Sequence, residues 1–225
     1  MRNKNHRIFC SPLLFIMAIV FLAAGCKRSG NPDIVNAFKR YPIERFHAVF
    51  QFSGDLRGTE EVFVSDYGKN EARYSKFEAF VPEGIKQRSN VTITRLGDTY
   101  GYNFLDSSFI KEHVPVLDSL YHLDNKDIPS PVNFMESEMK RQLLQLAGTD
   151  TIDGKIAERW HAPEGTMTIW VWNSIIIKKH VISPNAMMNL VMKSIDTLWT
   201  VDTTKFSHPV GFTKKDKPDY APGPN

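Results

Sequence analysis

Apolar and polar residues alternate with period two through most of the chain. In the run 44–53, Phe46, Ala48, Phe50 and Phe52 fall on one face and Arg45, His47, Val49 and Gln51 on the other, the signature of a half-buried strand. Gly54-Asp55 and Gly58 interrupt this run and a second spans 61–66. The turn signal Tyr67-Gly68-Lys69-Asn70 leads into a third at 71–81, and the three predict an antiparallel meander. Residues 90–95 and 99–104, joined by Leu96-Gly97-Asp98, predict a hairpin with Tyr100, Tyr102 and Phe104 on one face. Between 115 and 147 the period changes. Val116, Leu117, Leu120 and Leu123 fall at helical spacing, Asp127-Ile128-Pro129-Ser130-Pro131 interrupts, and a second amphipathic helix is predicted over 133–147, ending at Gly148. On it Met135, Met139, Leu143 and Leu146 lie toward one face, with Glu136, Glu138, Lys140 and Arg141 opposite. Period two resumes at 155–161, 166–172, 175–182 and 187–199. Strands, a helical excursion and strands again predict an α+β fold with a large antiparallel sheet.

The first 25 residues follow another pattern. Arg2, Lys4 and Arg7 precede an apolar stretch over 13–24. At about 1.5 Å per residue those twelve residues would extend roughly 18 Å, short of the roughly 30 Å of a bilayer core, so the segment reads as a signal peptide. It closes on Leu22-Ala23-Ala24-Gly25-Cys26, where small residues admit a peptidase and the thiol of Cys26 can take a diacylglycerol. This resembles the lipobox of bacterial lipoproteins, with Ala23 where leucine is commoner. Two acyl chains with an N-acyl chain anchor a protein firmly, where one gives only marginal binding.

Cleavage there changes the charge argument. The three basic residues before Cys26 carry the whole formal net charge of +3, leaving 25 acidic residues matched by as many basic ones. The basic balance is therefore no argument for a nucleic-acid partner. Cys10 leaves with the signal and Cys26 is acylated, so no thiol remains for a disulfide, a metal site or a nucleophile. The expected organisation is a signal peptide over 1–25, the lipidated cysteine and a tether over 26–40, one domain over 41–212, and a flexible tail over 213–225.

No catalytic constellation stands out. His47, His113, His122, His161, His180 and His208 include no pair at the four-residue spacing of helical metal ligands, and Glu60 and Glu61 project to opposite faces of a strand. Nucleophile elbow, P-loop and dinucleotide fingerprint are absent from the sequence. The expectation is a binding protein rather than an enzyme, with no cofactor and no metal. What does stand out is the supply of large apolar side chains on strand faces. Phe46, Phe50, Phe52, Tyr100, Tyr102, Phe104, Trp170 and Trp172, with Met135 and Met139 from a helical lid, are the candidate lining of an apolar cavity. The alternative is that these residues form a self-filled core.

A family resemblance is carried by Leu146-Ala147-Gly148-Thr149-Asp150-Thr151-Ile152-Asp153-Gly154-Lys155, by Trp170-Val171-Trp172 with the following Ile175-Ile176-Ile177-Lys178, and by the closing Phe206-Ser207-His208-Pro209-Val210-Gly211-Phe212. The phrases "G-x-x-x-I-x-G-K", "W-V-W" and "F-x-x-P-x-G-F" are similar to those of the lipoprotein carrier and receptor proteins LolA and LolB. The resemblance covers residues 40–212. It implies a strongly curved, open antiparallel half-barrel covered by helices, with a hydrophobic cavity for lipid or acyl chains. Carriers of this type are soluble, so a lipidated Cys26 places the chain nearer the anchored, receptor-like members. The expected setting is the bacterial outer membrane, facing the periplasm. The expected partners are the membrane through the lipid anchor, a lipid or acyl-chain ligand, and envelope proteins.

Overall fold

The computed structural model describes residues 38–81, 84–123, 127–184 and 186–216. The expected signal peptide, Cys26 and most of the tether lie outside the described residues, as do the last nine residues of the tail. Twelve strands form one sheet: β1 (Phe46–Gly54), β2 (Leu56–Ser65), β3 (Asn70–Val81), β4 (Gly84–Arg95), β5 (Asp98–Asn103), β6 (Ser108–His113), β7 (Gln145–Ile152), β8 (Lys155–His161), β9 (Met167–Trp172), β10 (Ile175–Ser183), β11 (Ala186–Asp196) and β12 (Thr213–Lys214). Two helices, α1 (Pro115–Tyr121) and α2 (Pro131–Arg141), lie between β6 and β7.

The strand order is β12-β6-β5-β4-β3-β2-β1-β11-β10-β9-β8-β7, so the sheet is open, with β7 and β12 at its edges. Every pairing is antiparallel except that of β12 with β6. From β1 in the middle of the sheet one meander runs outward to β6, and after the two helices a second starts at the far edge with β7 and runs back inward to β11. β11 closes the seam by pairing with β1, through a bulge at Val49/Phe50.

Register defines two faces. Phe46, Val64, Glu71, Thr94 and Thr99 form one cross-strand row, and Ala48, Val62, Arg73 and Thr92 form the next row on the same face. The opposite face carries His47, Phe63, Ala72, Ile93 and Tyr100. Both are covered. On the Phe46 face, Phe46, Ala48, Phe50, Val62 and Val64 are buried in one cluster with Tyr41, Ile175, Ile177 and Met192. On the Phe63 face, Trp199, Phe206 and Phe212 pack over Phe63, Val91, Ile93 and Tyr102. The closing "F-x-x-P-x-G-F" phrase therefore supplies a strap across the back of the sheet. The strap is fastened where the Tyr74 hydroxyl donates to the Lys205 carbonyl (2.7 Å) and Tyr102 Oη meets His208 Nδ1 (2.6 Å).

The helical cover is smaller than the sequence predicts. α2 stops at Arg141, where helical spacing had extended it to 147, and residues from Gln145 onward form edge strand β7. The cause is local. Leu143 takes a left-handed φ of 59°, its N–H donates to Lys140 O, and Leu144 N–H donates to Met139 O, a Schellman ending with leucine in the place glycine usually holds. Leu144 then turns inward against Trp160 while Leu143 is 77 % exposed. Replacing Leu143 with glycine removes the left-handed penalty and loses no packing. Urea denaturation is expected to show a gain of about 0.5–1 kcal/mol.

Two further boundaries move. Phe38 is fully buried against Tyr121 and Phe134, and Arg40 enters a buried ionic group, so the packed domain begins inside the expected tether. At the other end, Thr213 and Lys214 of the expected tail pair with β6. Gly58, read as a break, instead sits within β2. A Cβ there would lie 2.1 Å from the Lys76 carbonyl oxygen, so glycine lets the strand run on where β3 approaches.

Candidate functional site

The ten apolar candidates are distributed over both faces. Phe46 and Phe50 are buried in the central cluster, with Trp170 and Trp172 half-buried against it. Trp170 donates Nε1–H to Asp150 (2.7 Å) and lies under the Lys178 ammonium, and Trp172 lies under that of Lys155. Phe52 sits farther along β1, its ring 5.7 Å from that of Phe77. Met135 and Met139 of α2 pack with Trp160, Ile169 and Val171. Tyr100 and Tyr102 belong to the Phe63 face under the C-terminal strap, and Phe104 is 45 % exposed with its ring against Phe212. Period two had separated the faces within each strand. Strand pairing determines which faces meet.

One cross-strand row runs from residues packed under α2 to half-buried residues on the Phe46 face. Trp160, Ile169, Lys179, Leu190, Phe52, Gly58, Phe77 and Arg88 are successive cross-strand partners from β8 to β4. Trp160 and Ile169 are buried beside α2, but beyond them Lys179, Leu190 and Phe77 are only half-buried. The next row toward the same end of the sheet adds Val181, Met188 and Ala79. That end also holds the exposed side chains of Phe80, Ile85, Ile182 and Met187, at the β3–β4 and β10–β11 turns. A groove of about 490 Å³ opens beside the same row between α2 and β7–β8, lined by Val132, Glu136, Lys140, Leu144, Leu146 and Trp160.

Polar residues that period two had not singled out occupy the centre of this face. Glu71 is buried and accepts from Arg40 Nη1 (2.9 Å), the Tyr41 hydroxyl (2.7 Å) and Arg73 Nε. Arg73 Nη1 also donates to Glu60 (2.9 Å), whose other oxygen accepts from the Ser75 hydroxyl (2.9 Å). Burial pushes the Glu71 carboxyl up, but Arg40, Arg73 and the hydrogen bonds outweigh it and hold the group at about 2. Burial likewise raises the Tyr41 phenol, to about 12. Alternation in β3 places Ala72 and Tyr74 opposite Glu71 and Arg73. It carries no signal that residues 38–44 would cover the charged side.

Lys179 is the cation left over. Among the described residues it makes no hydrogen bond or ion pair, and burial first, then Arg73, pushes its pKa down while Glu60 opposes. Glu60 and Glu71 are already engaged by the arginines. No group of three or more metal-ligating side chains occurs among the described residues.

No family model and no curated protein sequence matches the chain. Among solved structures it is similar to an uncharacterized conserved protein from Thermus thermophilus, at 9 % identity and a TM-score of 0.46, over 77 % of this chain and 91 % of that one. It is also similar to LprF from Mycobacterium bovis, at 9 % identity and a TM-score of 0.32, over 72 % and 90 %. A DUF1329 family protein from Desulfovibrio piger follows, at 12 % identity and a TM-score of 0.30, over 74 % and 91 %. These are likenesses of outline at low identity, and the functional reading rests on the chain's own residues.

Proposed function

We propose that this chain is an envelope lipoprotein of half-barrel form, anchored through Cys26 at the outer membrane and facing the periplasm, that binds a lipid or lipoprotein acyl chain on the Phe46 face. The observation that carries this reading is the partial cover. Helix α2 buries the row at Trp160 and Ile169 but leaves Lys179, Leu190 and Phe77 half-buried in continuity with it. A chain laid along that row completes the cover without covalent chemistry. At about 0.8 kcal/mol per buried methylene, ten methylenes supply roughly 8 kcal/mol, against an association cost of at least about 4 kcal/mol. The difference of about 4 kcal/mol corresponds to a Kd of about 1 mM for ten buried methylenes, and about five more methylenes bring it to about 1 μM.

The second reading is an interaction lipoprotein with a self-filled core. It is favoured by Phe46 and Phe50, which are 1 % and 4 % exposed and pack against the protein's own side chains. The two readings separate on one preparation, the chain from residue 26 with Cys26→Ser, which keeps every described element. Native mass spectrometry is expected to detect co-purifying lipid, and a fluorescent fatty acid to bind saturably. Absence of both favours the self-filled core.

A further inference from the structure

We infer that Lys179 anchors the head of the ligand: it takes the carboxylate or phosphate of a single-chain amphiphile whose acyl tail runs along the apolar row beside it. The inference rests on the acyl-binding reading above and adds the ligand's chemical class and orientation. Lys179 has Ile169 of β9 and Leu190 of β11 as its cross-strand partners, so its ammonium emerges from an apolar stretch of the sheet. A half-buried ammonium in such a place is disfavoured unless an anion meets it. Among the described residues no carboxylate meets it: Glu71 is held by Arg40, Arg73 and Tyr41, and Glu60 by Arg73 and Ser75. Three cations against two carboxylates leave this group one anion short.

Apolar surface continues from that cation in one direction. Leu190, Phe52 and Phe77 follow Lys179 in its own row, and Val181, Met188 and Ala79 form the next row toward the open end. A head at Lys179 therefore directs a tail across β11, β1 and β3. Burial and Arg73 already lower the lysine's proton affinity, and a bound anion reverses that effect.

The test compares cis-parinaric acid with its methyl ester, by fluorescence at neutral pH, on the chain from residue 26 with Cys26→Ser. The acid is expected to bind at least tenfold more tightly than the ester. Lys179→Met is expected to erase that preference while ester binding persists, which also reports that the variant is folded, and Lys179→Arg is expected to retain it. Oleate and oleoyl lysophosphatidate, each used as competitor, separate a carboxylate head from a phosphate head, and displacement by neither overturns the assignment. Equal binding of acid and ester, or a preference that survives in Lys179→Met, refutes the anchor and leaves acyl binding standing. If the unsubstituted site binds neither probe, acyl binding itself fails and the anchor with it.

Discussion

Replacing Glu71 with alanine is expected to destabilise the protein by about 3–5 kcal/mol, a large share of the stability of a domain this size. The carboxylate is 3 % exposed and accepts from two arginines and a phenol, so its removal leaves Arg40 and Arg73 sharing a covered site with Glu60 as the remaining counter-charge. Most of the loss comes from cations left buried without a partner rather than from the pair's own net attraction. Tyr41→Phe removes one hydrogen bond to the same carboxylate and is expected to cost only about 1 kcal/mol. Urea denaturation followed by tryptophan fluorescence measures both. The pH dependence supplies a second readout. The Glu71 carboxyl titrates near 2 in the folded protein against an ordinary value of 4.5. A depressed folded value means that its contribution is fully present above about pH 4.5 and drains away as pH falls toward 2. Glu71→Gln removes this titration, so its stability is expected to fall less steeply than that of the parent chain across the window. Parallel curves would show that Glu71 is not what links acid to unfolding.

This ionic centre marks where sequence reasoning stops. Alternation was sufficient to place β1, β3, β5 and β8 to β11 within a few residues, because period two is imposed by the strand itself. β7 was lost because Leu143 and Leu146 continue a helical spacing across a point where the backbone reverses, and β6 has too short an alternation to stand out. The candidate cavity fared differently for a more general reason. Alternation assigns a side chain to one of two faces but carries no information on what covers either, and here both are covered over their central rows. The closing phrase from Phe206 to Phe212 buries Tyr102 from behind, and residues 38–44 bury Glu71 from the front. A charged position in a strand is legible as solvent-facing until its counter-charge is brought to it by the fold, here Arg40 to Glu71 from 31 positions upstream and Glu60 to Arg73 from the neighbouring strand.

Phe46→Ala is expected to cost about 3–5 kcal/mol, because the ring is 1 % exposed at the centre of the largest cluster and the rigid sheet beneath it collapses little into the gap. Phe104→Ala, with that side chain 45 % exposed, is expected to cost under about 1 kcal/mol and serves as the control. The informative experiment combines Phe46→Ala with Glu71→Ala. The two residues share a partner in Tyr41, whose ring stands edge-on to Phe46 at 5.3 Å between centroids and whose hydroxyl donates to Glu71 at 2.7 Å. Either substitution removes one of the contacts that hold the Tyr41 side chain, so the second then has less to lose. The double variant is expected to be more stable than the sum of the single losses implies, by about 0.5–3 kcal/mol. Strict additivity would mean that the apolar and ionic halves of the Phe46 face hold independently. Lys179 would then sit above a core that does not depend on the arginine network, and the charge of that network would be free to vary without loosening the apolar row.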